Sequence, residues 1–268
     1  MKKIIFSIAI LILFAGCSKE ERLIDNSHSS LDLYLSDSVA NEVSIYDFPS
    51  MEVKKANILS NAGITLTSPI QTIREFQRKV YFFAPKDDKM IVFDAKTDTL
   101  IKVVDFPFAS GPYDISFANP ADGFVMFKYA PYIANYDLVF DKIAKYIDGN
   151  SAVSSISDYK SYSFLCETVH LSVSVLDNRT YRNDSNIKLT GLPVLSTITS
   201  ENELLVVTMG YTDTKPGEDP VTTPVQVHFI NPDSKSLRYT RALGDKVINA
   251  NEIVPTDIVS TPLGYSYV

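Results

Sequence analysis

The sequence predicts an all-β fold organised as a β-propeller, a ring of four-stranded antiparallel blades. From Leu31 onward, short runs rich in Val, Ile, Tyr and Phe alternate with turns rich in Asp, Asn, Pro and Ser. Beyond the N-terminal segment, no window sustains the apolar spacing of a helix. One strand-and-turn motif recurs every 40 to 54 residues, a period that is typical of propeller blades.

The recurring motif is an apolar strand that ends in Asp or Asn, with Ser or Thr three residues later. Four copies are marked by Asp47, Asp94, Asp177 and Asn231, and a degenerate fifth copy at Asp137 has Phe140 in place of the hydroxyl. An Asx side chain accepts a backbone N–H two residues on and so closes a tight hairpin. The motif therefore predicts five equivalent turns, each between the third and fourth strands of a blade.

A second marker is a proline entering the innermost strand, where a missing N–H costs least. This marker occurs at Pro69, Pro112, Pro193 and Pro255. Together the two markers predict five blades, over about residues 31–60, 64–106, 111–149, 151–190 and 191–243, with a sixth begun near 252.

Two of the predicted blades are incomplete. The first lacks an innermost strand, and the sixth lacks its outer strands, because Val268 falls inside its second strand. An open arc exposes unpaired strand edges, which natural β proteins avoid. We therefore expect a chain truncated at its C-terminus from a propeller of six to seven blades.

The two markers resemble those of the YVTN-type repeat propellers of Gram-negative lipoproteins. Blades of that family combine a Pro-led inner strand, a Tyr-containing second strand and a third strand ending in Asp-x-x-Thr. The resemblance covers residues 31–268, but the second strands Leu33–Ser36 and Val80–Ala84 lack the family's Asn. It implies a lipoprotein that uses a propeller for binding.

The N-terminus predicts export and lipidation. Lys2 and Lys3 precede an uncharged run of 13 residues, 4–16, which is shorter than the roughly 20 residues of a membrane-spanning helix. Residues 13–17 read Leu-Phe-Ala-Gly-Cys and resemble the bacterial lipobox. Residues 1–16 are thus interpreted as a signal peptide and Cys17 as the site of lipid attachment; the alternative is an ordinary signal peptide with a chance cysteine.

Residues 17–30 are predicted to form a polar tether between the lipid and the propeller domain, 31–268. Ser18–Glu21 resembles the Lys-plus-acidic tag of lipoproteins exported to the outer face of the outer membrane, and a solvated tether explains it equally well. No basic cluster is left to bind anionic headgroups, so anchoring is expected from more than one acyl chain. We expect a lipid-anchored protein of the outer membrane, on the cell surface or the periplasmic face.

Composition excludes several classes of partner and site. The chain carries 25 Lys and Arg against 32 Asp and Glu, a net charge of −7, which argues against nucleic-acid binding.

Cys166 is predicted to be a core thiol on a strand that also carries His170, about 13 Å farther along. The three histidines, His28, His170 and His228, lack metal-ligand spacing. No metal, cofactor or catalytic residue is predicted.

Two acidic or polar segments are interpreted as loops. Asp177–Asp184 is predicted to be a solvated hairpin tip, because it departs from a calcium-binding loop in its two arginines and in its missing Gly and Glu. Tyr211–Pro224 is a polar insertion that accounts for the longest repeat spacing. A tolerated insertion explains it better than a partner-binding loop.

The candidate binding residues follow the inner-strand prolines and should face the mouth of the central channel: Gln71, Tyr113, Asp114, Ser196 and Asp257. Convergent polar groups in a concave site bind ligands, but the same residues could equally hydrogen-bond neighbouring blades. The favoured function is non-enzymatic binding of a protein or a small ligand. The alternative is a propeller enzyme, a lactonase or a quinoprotein-like oxidoreductase, which would need a metal constellation or a cofactor cleft.

Overall fold

The structure is a computed structural model that describes residues 31–48, 50–149, 152–213, 221–243, 258–260 and 266–267. The predicted signal peptide, the tether and Pro255 lie outside this part of the chain. Strands dominate the described residues, with one helical turn, α1 (Ile58–Asn61), and a 3-10 turn at Pro85–Asp87. None of the described helices is long and apolar enough to cross a membrane.

The strands form successive antiparallel sheets in chain order. The first sheet contains β1 (Leu31–Asp37), β2 (Glu42–Phe48) and β3 (Glu52–Lys55). The second contains β4 (Thr72–Phe76), β5 (Lys79–Ala84), β6 (Lys89–Asp94) and β7 (Thr99–Asp105). The third contains β8 (Pro112–Phe117), β9 (Asp122–Phe127), β10 (Tyr132–Asp137) and β11 (Lys142–Asp148).

The remaining sheets follow the same pattern. The fourth contains β12 (Val153–Tyr159), β13 (Tyr162–Glu167), β14 (Ser172–Asp177) and β15 (Arg182–Lys188). The fifth contains β16 (Leu192–Ile198) and β17 (Leu204–Met209), then, after an inserted hairpin of β18 (Tyr211–Asp213) and β19 (Val221–Thr223), β20 (Gln226–Asn231) and β21 (Ser236–Ala242). A last hairpin pairs β22 (Val259–Ser260) with β23 (Ser266–Tyr267).

These sheets are the blades of a β-propeller, as the sequence predicts. The first strands of blades two to five, β4, β8, β12 and β16, contact one another in succession around a central channel. The marker Asp47 lies near the end of β2, so β1 to β3 are the second, third and fourth strands of blade one. Within the described residues, blade one therefore lacks an innermost strand, as expected, and β22–β23 contacts blade five as the start of a sixth blade.

The five marker residues occupy equivalent turns, which confirms the repeat. The Oδ1 atom of Asp94 accepts the N–H groups of Lys96 and Thr97, both at 2.8 Å. Asp137 accepts those of Val139 and Phe140, both at 3.0 Å. Because the Asp137 turn forms with Phe140 in the hydroxyl position, the Asx oxygen closes the turn without the hydroxyl.

Each of these turns ends in the left-handed conformation. The residue four positions after the marker has a positive φ in every blade, from 49° to 58°, at Met51, Asp98, Asp141, Tyr181 and Lys235. A register shift follows in each pairing of the third and fourth strands. The shift increases the local twist, so the motif also twists the outer strand.

The blades pack face to face through their second and third strands. Between blades two and three, Tyr81, Phe83, Phe127 and Tyr136 form an apolar core, in which the Tyr81 and Tyr136 rings meet edge to face at 6.4 Å. Similar cores separate the other neighbouring blades. The outermost strand β21 is exposed along its whole length. The middle strands are thus covered on both faces, which explains their nearly continuous apolar sequence.

The expectation that Cys166 and His170 share one strand is wrong. Strand β13 ends at Glu167, and His170 lies in the turn that leads to β14. Cys166 is the buried core thiol that the sequence predicts; it packs against blade five, and burial raises its pKa to about 12. His170 lines a pocket with Ser174, whose paired neighbour Leu165 packs against blade three. The two side chains are separated by the sheet and not by distance along a strand.

The hairpin tip predicted at Asp177–Asp184 is shorter in the structure. The turn spans 178–181 and includes the exposed Arg179, whereas Asp177 ends β14 and Arg182–Asp184 begin β15. The insertion after β17 forms the β18–β19 hairpin, whose central residues, 214–220, lie outside the described chain.

Candidate binding site at the channel mouth

The two faces of the propeller carry different sets of loops. What we call the upper face carries the loops that lead into the inner strands, such as 106–111, and those between second and third strands, such as 128–131 and 168–171. The lower face carries the marker turns, such as 95–98. All inner strands start at the upper face because every blade repeats the same up-and-down order.

A central cavity of about 860 Å³ lies between the inner strands. Its walls come from four blades and from the sixth-blade residue Ile258, and they include Thr72–Glu75, Tyr113–Phe117, Ser154–Ile156 and Leu195–Ser196. A pocket of about 300 Å³ opens beside it on the upper face, between Phe127, Lys128, Val153 and Thr168. Gln71, Tyr113 and Ser154 line both spaces, so these residues mark the mouth of the channel.

The structure brings together four of the five predicted channel residues. Gln71, Tyr113, Asp114 and Ser196 all line the central cavity. Asp257 lies outside the described residues, and so does Cys17. Convergence on one cavity is what the sequence predicts for these positions, and binding of a ligand there stays a prediction.

Asp114 is held by an arginine of the neighbouring blade. The Arg74 guanidinium donates from Nε to Oδ1 at 2.8 Å and from Nη2 to Oδ2 at 2.7 Å. Asp114 Oδ1 also accepts the N–H of Ile115 at 2.8 Å. The Arg74 side chain is 47% exposed and that of Asp114 is 16% exposed. The ion pair therefore joins blades two and three while facing the cavity, where a ligand can reach it.

Tyr113 joins blades three and four at the mouth. Its hydroxyl donates a hydrogen bond to the carbonyl oxygen of Val153. Burial raises the pKa of Tyr113 above its ordinary value, and the charge of Asp114 acts in the same direction. The phenol therefore stays protonated and serves as a hydrogen-bond donor, while its ring forms part of the wall.

Ser196 is part of a hydroxyl cluster between blades four and five. Its Oγ lies 2.9 Å from Ser155 Oγ and 2.8 Å from Ser157 Oγ. Its backbone N–H donates to Ser155 Oγ at 3.1 Å. Ser196 therefore hydrogen-bonds the neighbouring blade, which is the structural role that the sequence analysis weighed against ligand binding. Ser196 also lines the cavity wall, where a ligand can contact it.

Sequence reasoning missed Asp158, a carboxylate that links two blades. Ser116 of blade three and Ser163 of blade four both donate hydrogen bonds to it. Burial raises the pKa of Asp158, and the two hydroxyls partly oppose this. In the sequence, Asp158 resembles an ordinary acidic residue of a turn. Its role is not visible there because its partner Ser116 is 42 residues away.

The histidine that the structure buries is a core residue. His228 Nε2 lies 3.0 Å from Thr208 Oγ1, and Nδ1 lies 2.9 Å from Thr240 Oγ1. Burial lowers the pKa of His228, which favours the neutral imidazole. In the part of the chain that the structure describes, no three His, Cys, Asp or Glu side chains are grouped to hold a metal ion.

Comparison with known proteins identifies the fold and not a family. No protein-family model and no curated protein matches the sequence. The structure is similar to the WD40 β-propeller domain of Doa1, with a TM-score of 0.61 and 10% identity over 88% of this chain and 70% of that one. It is also similar to hydrazine synthase of Kuenenia stuttgartiensis, with a TM-score of 0.56, 17% identity and coverage of 70% and 50%.

A third similar structure is the Pan2 WD40 domain of Neurospora crassa, with a TM-score of 0.56, 11% identity and coverage of 78% and 61%. This chain thus spans half of the hydrazine synthase chain and 61% of the Pan2 chain. At identities of 10% to 17%, these likenesses show the β-propeller fold alone.

Proposed function

We propose that this chain is a lipid-anchored propeller that binds a protein partner at the upper mouth of its central channel, without catalysing a reaction. The observation that carries the proposal is the convergence of Gln71, Tyr113, Asp114 and Ser196, from three blades, on one cavity of about 860 Å³. A concave wall with a few converging polar groups is the usual form of a binding site. The lipid anchor rests on the sequence around Cys17.

Exposed aromatic residues beside the mouth favour a protein as the partner. Phe108 is 97% exposed and Tyr129 is 63% exposed, and both lie on upper-face loops. Aromatic side chains at a concave rim are typical anchors of protein interfaces. The apolar wall of the adjoining pocket, formed by Phe127 and Val153, offers a place for an apolar side chain of the partner.

The loop that presents Phe108 is held in one conformation. The Asp88 carboxylate accepts the N–H groups of Ala109 at 2.7 Å and Gly111 at 2.8 Å. Gly111 has a φ of +64°, and a Cβ atom there would lie 2.7 Å from the Tyr129 ring. Glycine at 111 thus permits the Tyr129 ring to approach the backbone of the Phe108 loop closely. A loop backbone that is fixed before binding loses little conformational entropy when a partner docks.

Site-directed photo-crosslinking in the cells that produce the protein tests the location of the partner. A crosslinker at Phe108 or at Gln71 should capture the same protein, whereas one at Lys96 on the lower face should not. Phe108→Ala should weaken the captured complex by about tenfold or more, with an unchanged melting temperature. The matched control is Phe140→Ala, because Phe140 is 70% exposed on the lower face. Capture from Lys96 alone, or equal effects of the two variants, would contradict the proposal.

The anchor and the enzyme alternative have separate tests. Cys17→Ser should leave the protein uncleaved or released from the outer membrane, while the wild type sediments with it. Normal cleavage and outer-membrane partitioning of this variant would contradict lipidation. A metal-dependent hydrolase activity that Asp114→Ala abolishes would instead favour a propeller enzyme.

A further inference from the structure

The marker turn of blade three exposes two apolar side chains on the lower face. Val139 is 62% exposed and Phe140 is 70% exposed. The turn is closed by the Asp137 carboxylate, which accepts the backbone N–H groups of both residues. The Leu138 side chain, by contrast, is buried in the core between blades two and three. Neither packing nor closure of the turn therefore requires apolar side chains at 139 and 140.

The equivalent turns of the other blades support this conclusion. The positions that correspond to Val139 and Phe140 carry polar or charged residues, which are Lys96 and Thr97 in blade two, Arg179 and Thr180 in blade four, and Asp233 and Ser234 in blade five. In blades two and five the marker residue accepts the same pair of backbone N–H groups. Blade three thus keeps the turn and replaces its two outward-facing polar side chains by a large apolar pair.

A second apolar turn lies on the lower face in blade one. Phe48 and Met51 belong to the marker turn that follows Asp47, and each is about half exposed. The corresponding turns of blades four and five present the exposed charged residues Arg179 and Asp233. The exposed apolar side chains of the marker turns are therefore concentrated on blades one and three, on one side of the lower face.

The described chain enters the propeller at this side of the lower face. Leu31 pairs with Phe48, so β1 starts beside the apolar turn of blade one. The predicted lipid attachment site, Cys17, precedes Leu31 by 14 residues. At about 3.3–3.6 Å per residue, these residues span no more than about 50 Å. A lipid at Cys17 would therefore keep the lower face close to the bilayer.

A membrane surface fits these turns better than a second protein does. Apolar side chains that enter the boundary between headgroups and acyl chains add to the attachment that acyl chains provide. Lys142 lies with its Nζ atom 5.2 Å from the centroid of the Phe140 ring, and a lysine beside a buried ring can extend its amine to the headgroups. A protein interface would need a continuous core, whereas the exposed Lys96 of blade two lies between the two apolar turns.

We propose that the lower face of blades one to three rests on the membrane surface, with Val139 and Phe140 in the boundary between headgroups and acyl chains. This inference depends on the lipid anchor of the proposed function. It turns the upper mouth of the channel away from the bilayer and towards the protein partner. The lipid at Cys17 holds the chain at the membrane with or without Phe140, so the contact sets the orientation of the propeller and not the capture of the partner.

Tryptophan fluorescence of the full lipidated chain tests this orientation. The chain contains no Trp, so Phe140→Trp introduces a single indole, and Val139→Trp is a second probe. Each variant is reconstituted into vesicles of phosphatidylethanolamine and phosphatidylglycerol, with or without quenching bromine atoms on the acyl chains. The matched controls are Arg179→Trp, at the blade-four position equivalent to Val139, and Phe108→Trp on the upper face. Both probes should be quenched at least about twofold more than either control, because interfacial side chains lie about 5–10 Å deep.

The proposal is overturned if the two probes are not quenched, or if either control is quenched equally. A blue-shifted emission of Phe140→Trp that brominated lipid does not quench would mean that a protein surface, such as a second copy of the chain, covers the turn. That result would also overturn it. Sedimentation of the wild type with the same vesicles, compared with Cys17→Ser, measures the anchor separately. Sedimentation without quenching at 139 and 140 would refute the orientation alone, whereas loss of sedimentation would refute the anchor as well.

The control at Phe108 also separates this inference from the proposed partner site. Quenching of Phe108→Trp would place the upper face on the membrane and would contradict both proposals. If none of the indoles is quenched, the crosslinking test at the channel mouth is unaffected.

Discussion

The middle strands and the inner strands hold the blades together by different means. In blade two the middle strands β5 and β6 bury nearly every side chain, and the Phe82 and Phe93 rings meet at 5.6 Å. Beside the channel, the inner strands contact one another through polar groups, such as the Arg74–Asp114 ion pair and the Ser155–Ser196 contact, and Phe76 of β4 also stacks on Phe117 of β8 with ring centroids 4.3 Å apart. The same blade is therefore apolar in its middle and polar at the channel.

This difference predicts that the middle strands provide most of the stability and that the inner strands are free to serve the proposed binding function. Apolar packing in the middle strands contributes in proportion to the area buried, and its loss cannot be compensated by water. Partly exposed ion pairs and hydroxyl contacts each contribute little net free energy. Side chains of the channel wall can therefore be replaced at small cost to the stability of the propeller.

Removal of a middle-strand aromatic side chain should have the largest effect. Phe82→Ala deletes a fully buried ring and should lower the free energy of unfolding by about 3–5 kcal/mol. Urea denaturation followed by circular dichroism measures the loss. Tyr129→Ala, at an exposed position, is the control and should change stability by less than about 0.5 kcal/mol. A loss below about 1 kcal/mol for Phe82→Ala would contradict the contrast between strands.

The inner-strand carboxylate Asp158 should make stability depend on pH. Its folded-state pKa is raised by burial, so its favourable contribution is present below the unfolded-state pKa and is lost as pH rises through the folded-state pKa. Asp158→Asn keeps the hydrogen-bonding shape without the charge. The variant should therefore gain stability relative to the wild type as pH rises above the unfolded-state pKa, measured by thermal unfolding over a series of pH values. A difference that stays constant across the series would contradict a raised pKa of Asp158.

Sequence predicted the features that are encoded locally. The marker turns depend on an Asx oxygen and N–H groups two and three residues away, so a short motif contains the whole interaction. The middle strands were equally evident, because burial on both faces requires apolar residues at successive positions. The repeat period and the turn motif together were sufficient to predict the propeller fold.

Contacts between distant segments could not be found in this way. The Glu42 carboxylate accepts hydrogen bonds from the N–H groups of Leu59 and Ser60, at 3.2 and 3.0 Å, in the first turn of α1. Arg74 meets Asp114 from 40 residues away. The sequence thus indicated four residues that line one cavity but not the partners of these residues.

The marker turns should have an intermediate effect that does not depend on their hydroxyl residue. Asp94→Ala removes the acceptor of two N–H groups and should cost about 1 kcal/mol. The two N–H groups lower the pKa of Asp94, so this contribution is present above the unfolded-state pKa and is lost as pH falls through the folded-state pKa. Thr97→Ala should cost less, because the turn at Asp137 forms without a hydroxyl. Equal losses for the two variants in chemical denaturation would assign the turn to the hydroxyl instead.

The channel ion pair should have the smallest effect on stability. Asp114→Ala removes the two hydrogen bonds between the carboxylate and the Arg74 guanidinium. That guanidinium is nearly half exposed, so water can solvate it in the variant. We expect a loss of no more than about 1 kcal/mol in the free energy of unfolding. The same variant should weaken capture of the partner at the mouth, because it removes one of the four converging groups. Arg74→Met, which leaves Asp114 without its counter-ion, is the companion variant in crosslinking and thermal unfolding. If Asp114→Ala destabilises the chain as much as Phe82→Ala does, the inner strands carry stability after all and the division between middle and inner strands fails.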